Sequence, residues 1–89
     1  MPQLFGKDSD EVLDYSIAWA DWLDEDTISL STWSVAGDIT IDNDTVTSTR
    51  TTVWLSGGLS GERYTALNHI VTAAGREAER SIYVDVSEQ

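Results

Sequence analysis

The residues with the most chemical reach are a single histidine, three acidic groups and four tryptophans. His69 is the only side chain that titrates near neutrality without perturbation. No spacing in the sequence pairs it with a nucleophile, and the reading that fits best is a histidine on a sheet surface. Ser56-Gly57-Gly58 lacks the flanking glycines and following helix of a nucleophile elbow. Gly57-Gly58-Leu59-Ser60-Gly61 lacks the Lys and the strand–helix context of a phosphate loop. No catalytic constellation and no bound cofactor are therefore expected. The acidic groups (Asp8, Asp10 and Glu11; Asp24, Glu25 and Asp26; Asp42, Asn43 and Asp44) raise a calcium reading, since that ion takes six to eight oxygens. None follows the EF-hand pattern, and solvated turns are favoured. Trp54, out of phase with the apolar Val53 and Leu55, is the one tryptophan expected outside the core, and it makes a weak platform for sugar stacking.

These residues must be held by something, and composition limits what that is. The chain has 89 residues, 16 acidic and 5 basic, for a net charge of −11. One domain spanning 1–89 is the limit, burying about 60–65% of its unfolded surface. Phosphate contacts need Lys and Arg, so nucleic acid is not an expected partner. No apolar run approaches the length that spans a bilayer, so a membrane is not expected either. The N-terminus lacks the basic start and apolar stretch of a secretory signal. With no cysteine, disulfides and thiolate chemistry are out.

Serine and threonine supply 20 residues, with Val, Ile and Trp frequent, which is strand composition. Leu13, Tyr15, Ile17 and Trp19 recur at every second position, as in a half-buried strand. A helix over 10–23 is the competing reading. Further period-2 runs cover 28–35, 39–41, 46–55, 64–72 and 82–86. Asp42-Asn43-Asp44 reads as a turn, Ser56 to Gly61 as a loop and Ala73-Ala74-Gly75 as a tight connection. Six or seven short strands with turn signals between them predict an all-β sandwich. Its expected core is Leu13, Ile17, Trp19, Trp33, Val53, Leu55, Ile70, Ile82, Val84 and Val86. Residues 1–10 and 87–89 are expected to fray. Tyr64, opening a strand after Gly61-Glu62-Arg63, is either a tyrosine corner or a plain core tyrosine.

What remains is surface. If Tyr64, Ala66, Asn68 and Ile70 face inward, then Leu67, His69 and Val71 face outward. Tyr83 joins them between the inward Ile82 and Val84. With Trp54 on the other sheet, these positions are the candidate partner-binding residues, because apolar patches on an acidic protein often mark partner sites. The opposite parity would make Leu67 and Val71 core.

Read together, several segments are more specific. They are Asp8 to Ile17 running into Trp19-Ala20-Asp21-Trp22-Leu23, then Thr51-Thr52-Val53-Trp54-Leu55-Ser56-Gly57-Gly58, Tyr64 with Asn68, and Thr72-Ala73-Ala74-Gly75-Arg76. The chain resembles a family of small proteins from the structural-gene region of tailed bacteriophages and prophages, over residues 7 to 88. Val35-Ala36-Gly37 departs from it, since members tend to carry a Pro near position 36. The resemblance implies an immunoglobulin-like β-sandwich of about seven antiparallel strands. It also implies a non-enzymatic virion component, made in the bacterial host cytoplasm and placed among head and head–tail proteins. Its partners would then be other virion proteins of the capsid, head–tail region or tail, with several copies assembling in the particle. The alternative is an immunoglobulin-like adhesion module that depends on calcium or sugar.

Overall fold

Alternating side chains on strands need a second layer to cover their apolar face, and two sheets supply it here. The computed structural model describes the backbone of Gln3–Lys7 and all of residues 12–86. The elements are β1 (Gln3–Lys7), β2 (Leu13–Ala18), α1 (Ala20–Leu23), β3 (Ile28–Val35), β4 (Ile39–Val46), β5 (Arg50–Gly57), β6 (Arg63–Thr72) and β7 (Glu77–Val86). One sheet runs β1-β7-β6-β3 and the other β2-β5-β4.

The inward sets of the two sheets meet in one core. Ile17, Trp19, Val53, Leu55, Ile70, Ile82, Val84 and Val86 are buried as expected, joined by Tyr15, Leu23, Ile39, Tyr64 and Ala66. Leu13 and Trp33 are corrections, because both are only half-buried and pack against the core from its margin. Trp33 sits on the edge strand β3, where one flank has no neighbouring strand among the described residues. The central tryptophan is Trp19, fully enclosed. It follows β2 and is held there by its N–H on the Thr49 carbonyl, 2.9 Å.

Three element boundaries differ from expectation. Gln3–Lys7 does not fray but pairs with β7, Gln3 opposite Ile82 and Lys7 opposite Val86. That pairing is parallel, so the strands are not all antiparallel. The other part of the expected fraying, residues 1–2, 8–10 and 87–89, lies outside the described residues. Asp42-Asn43-Asp44 is not a turn. It runs inside β4, with a register shift between Ile41 and Asn43. The turn comes at 47–49, where the Thr47 hydroxyl accepts from the N–H groups of Thr49 and Arg50. Of the competing readings for 10–23, the strand holds over Leu13–Ala18, and only the four residues of α1 are helical.

Tyr64 is a tyrosine corner. Its hydroxyl accepts the Leu59 N–H at 2.8 Å, five residues upstream. The ring fits because of Gly58, whose φ of +94° is a conformation that L side chains resist. A Cβ there would come within 2.8 Å of Val86 Cγ2 and 3.2 Å of the Tyr64 ring.

Candidate interaction surface

The register of β3, β6 and β7 sets out the outer face of the four-stranded sheet in rows. Leu30, Val71 and Glu77 form one row, Thr32, His69 and Glu79 the next, and Ser34, Leu67 and Ser81 the third. Tyr83 lies opposite Thr65, diagonal to Leu67, and Arg63 lies opposite Asp85. Leu67, His69 and Val71 point outward because Ala66, Asn68 and Ile70 are buried between them, and Tyr83 does so between Ile82 and Val84. Four of the five candidate residues thus share one face, each half-buried by its neighbours. Trp54 does not join them. It lies on the outer side of the other sheet, between Asp14 on β2 and Asn43 on β4, and it too is half-buried rather than exposed.

The polar groups on the face are tied to one another. His69 Nδ1 lies 3.0 Å from Glu79 Oε2, and Nε2 lies 2.9 Å from Glu77 Oε1. Hydrogen bonds to Glu79 and then Glu77 raise the histidine pKa above its ordinary value. Arg63 donates to both oxygens of Asp85, at 2.7 and 3.2 Å, and its guanidinium stands 5.6 Å from the Tyr83 ring centroid. With both ring nitrogens on carboxylates, His69 is arranged as a surface clasp between β6 and β7.

Leu30, missed by the sequence reading, is 54% exposed beside Val71. Its outward phase with Thr32 and Ser34 was the available signal. A register shift between Ile28 and Leu30 hides the pattern, because it returns Ile28 to the core while Leu30 stays outside.

One end of the sandwich is organised by cations on rings. The Arg76 guanidinium lies 4.3 Å from the Trp22 ring, and that of Arg80 the same distance from Trp19. The two indoles meet edge to face at 5.7 Å. Arg76 also donates to Asp26 at 3.2 Å and to the Leu23 carbonyl at 2.9 Å. The Asp26 carboxylate further accepts from the Thr27 and Ala74 N–H groups. Hydrogen bonding by Thr72 first, then by Thr27, Arg76 and Ala74, outweighs partial desolvation and lowers its pKa from 3.8 to about 2. Asp26 is therefore already coordinated by protein donors. Asp42 and Asp44 belong to a strand, and the Asp8, Asp10 and Glu11 group lies outside the described residues. Among the described residues no three His, Asp or Glu side chains converge on a metal-sized site.

Two stacked sheets and a tyrosine corner define an immunoglobulin-like sandwich domain. The fold is shared with the PKD domain of the KIAA 1837 protein, at 15% identity and a TM-score of 0.53, over 99% of this chain and 81% of that one. That likeness speaks to fold alone. Comparison with curated protein sequences finds no match. The chain belongs to the family described as podophage GP4 fiber-tail adaptor protein gp77, whose model matches residues 7–85. It is a phage structural protein.

Proposed function

We propose that this chain is a non-enzymatic adaptor in the tail of a podophage virion, joining fibre to tail through protein–protein contacts. The match of residues 7–85 to the fibre–tail adaptor family carries the reading. It favours the tail over the capsid-decorating and head–tail placements that the resemblance in the sequence left open. The outer face of β3, β6 and β7 is the contact surface. Leu30, Leu67, Val71 and Tyr83 supply apolar area, and the His69, Glu77, Glu79, Arg63 and Asp85 groups supply a polar surround, the composition of an interface hot spot and its rim.

The test is a virion carrying Leu67→Asp with Tyr83→Ala. Both positions lie on the outer face, so the purified variant is expected to unfold as cooperatively as the parent. It is expected to be missing from particles, measured by mass spectrometry of purified virions. A folded variant present at normal occupancy would move the interface elsewhere. Cryo-electron microscopy of intact virions tests the placement itself, and density for this chain on the capsid alone would overturn the tail reading.

A further inference from the structure

A second feature lies at the border of that face, along the edge of its sheet. Among the described residues the sandwich has four edge strands, and three are poor templates for pairing. β1 is five residues long. β2 is six residues long and carries Asp14 on its outer side. β4 is interrupted by a register shift and carries Asp42 and Asp44. Short strands, bulges and charges are the usual means of keeping an edge from pairing with another chain.

β3 has few of these protections. Its eight residues, Ile28 to Val35, include no charge, no Pro and no Gly. After the shift at its start, Leu30 to Val35 pair in unbroken register with Val71 to Ala66. β3 ends the sheet order, with no strand on its other side among the described residues. At its start the Ile28 N–H is taken by the Ser48 carbonyl. Leu30 stands exposed along the strand, ready for a cross-strand apolar contact.

The charges say what can come alongside. Exposed Asp24 and Glu25 precede the strand, and exposed Asp38 follows it. Three of the five basic side chains, Arg63, Arg76 and Arg80, are occupied by the chain's own carboxylates, carbonyls or rings. A second copy laid antiparallel on β3 would bring Asp24 and Glu25 of one chain toward Asp38 of the other, between molecules of net charge −11. We propose that β3 is a docking edge that accepts, as a fifth strand, an uncharged extended segment flanked by Lys or Arg from a neighbouring protein. In strand addition the backbone ladder supplies affinity and the flanking charges supply choice of partner. The inference deepens the adaptor reading and rests on it for where that neighbour is found.

The probe is a short peptide of alternating Thr and Val with a Lys pair at each end, titrated into the isotope-labelled full chain and followed by amide NMR. Shifts and slowed exchange are expected over Leu30 to Val35 and on the adjoining β6, weakening as salt rises. A peptide of the same charge with Pro in its centre cannot complete the ladder, and it is expected to bind at least about tenfold more weakly. No response at β3 up to about 1 mM peptide, the weak end of specific binding, would overturn the inference. So would equal binding of the Pro peptide, a response on another edge, or self-association through β3 without peptide. Absence of the chain from virions would defeat the adaptor reading and leave the titration result standing.

Discussion

Asn68 has no exposed surface, yet it is the most connected polar side chain in the core. Its Oδ1 accepts from Trp19 Nε1 at 3.0 Å and Thr51 Oγ1 at 2.7 Å, and its Nδ2 donates to Ser31 Oγ and the Thr32 carbonyl. One amide therefore links both sheets through one indole N–H, two hydroxyls and a backbone carbonyl. Asn68→Ala is expected to cost about 2–4 kcal/mol in chemical denaturation, since it orphans several buried groups at once. Period 2 correctly placed Asn68 inward. The network was not legible, because its members are 17, 37 and 49 residues apart in sequence. Asp26 gives a second prediction. Its folded pKa of about 2 lies below its unfolded value, so the stability it contributes is present above about pH 4 and lost as pH falls toward 2. Asp26→Asn is expected to lower the melting temperature at neutral pH, with the gap to the parent closing as the pH falls through that window. A gap that persists unchanged at the acid end would mean the carboxylate charge is not what ties Arg76 and Ala74 to this loop.

Among the elements, β6 and β7 were the most legible. Both are buried on one face only, and a strand with one buried face writes its orientation into alternate residues. β4 was not legible because beyond Ile41 every residue to its end is exposed. Acidic residues are tolerated there, and an Asp-Asn-Asp run in a solvated edge strand looks the same as one in a turn. β1 was missed because its partner lies almost 80 residues downstream, and a short strand paired that far away leaves no local signature. The place of Tyr64 after a glycine-bearing loop left a corner and a plain core tyrosine both open, and the Leu59 hydrogen bond decides for the corner. Tyr64→Phe keeps the ring against Gly58 but removes the acceptor for the Leu59 N–H. It is expected to cost about 0.5–1.5 kcal/mol, the net worth of one hydrogen bond. A loss several times larger would mean that the ring itself shifts.

For the whole molecule, charge is the property composition revealed most directly. Eleven net negative charges on 89 residues repel one another, and the repulsion is screened over about 8 Å at physiological ionic strength. Melting temperature is expected to rise from very low to moderate sodium chloride, and calcium at matched ionic strength is expected to add little. A large shift from micromolar calcium alone would return the acidic groups to consideration as an ion site. The function was legible only in outline. The resemblance in the sequence pointed to a phage structural protein, but which face meets which partner depends on how strands from opposite ends of the chain come to lie side by side.

The pairing of β1 with β7 has a mechanical meaning. The two strands run in the same direction, Gln3 beside Ile82 and Lys7 beside Val86. A pull on the chain before Gln3 and a counter-pull after Val86 therefore drag them past each other lengthwise. Every hydrogen bond between them is loaded together, so the ladder resists as a unit. A pull that opens the same sandwich between β3 and β6 from one end breaks antiparallel pairs in succession. In single-molecule stretching, attachment before Gln3 and after Val86 is expected to need a clearly higher unfolding force than attachment at Val35 and Ala66. Equal forces would mean that β1 carries no load. A domain strung by its two ends between neighbours would thus be strongest along the axis on which it is pulled.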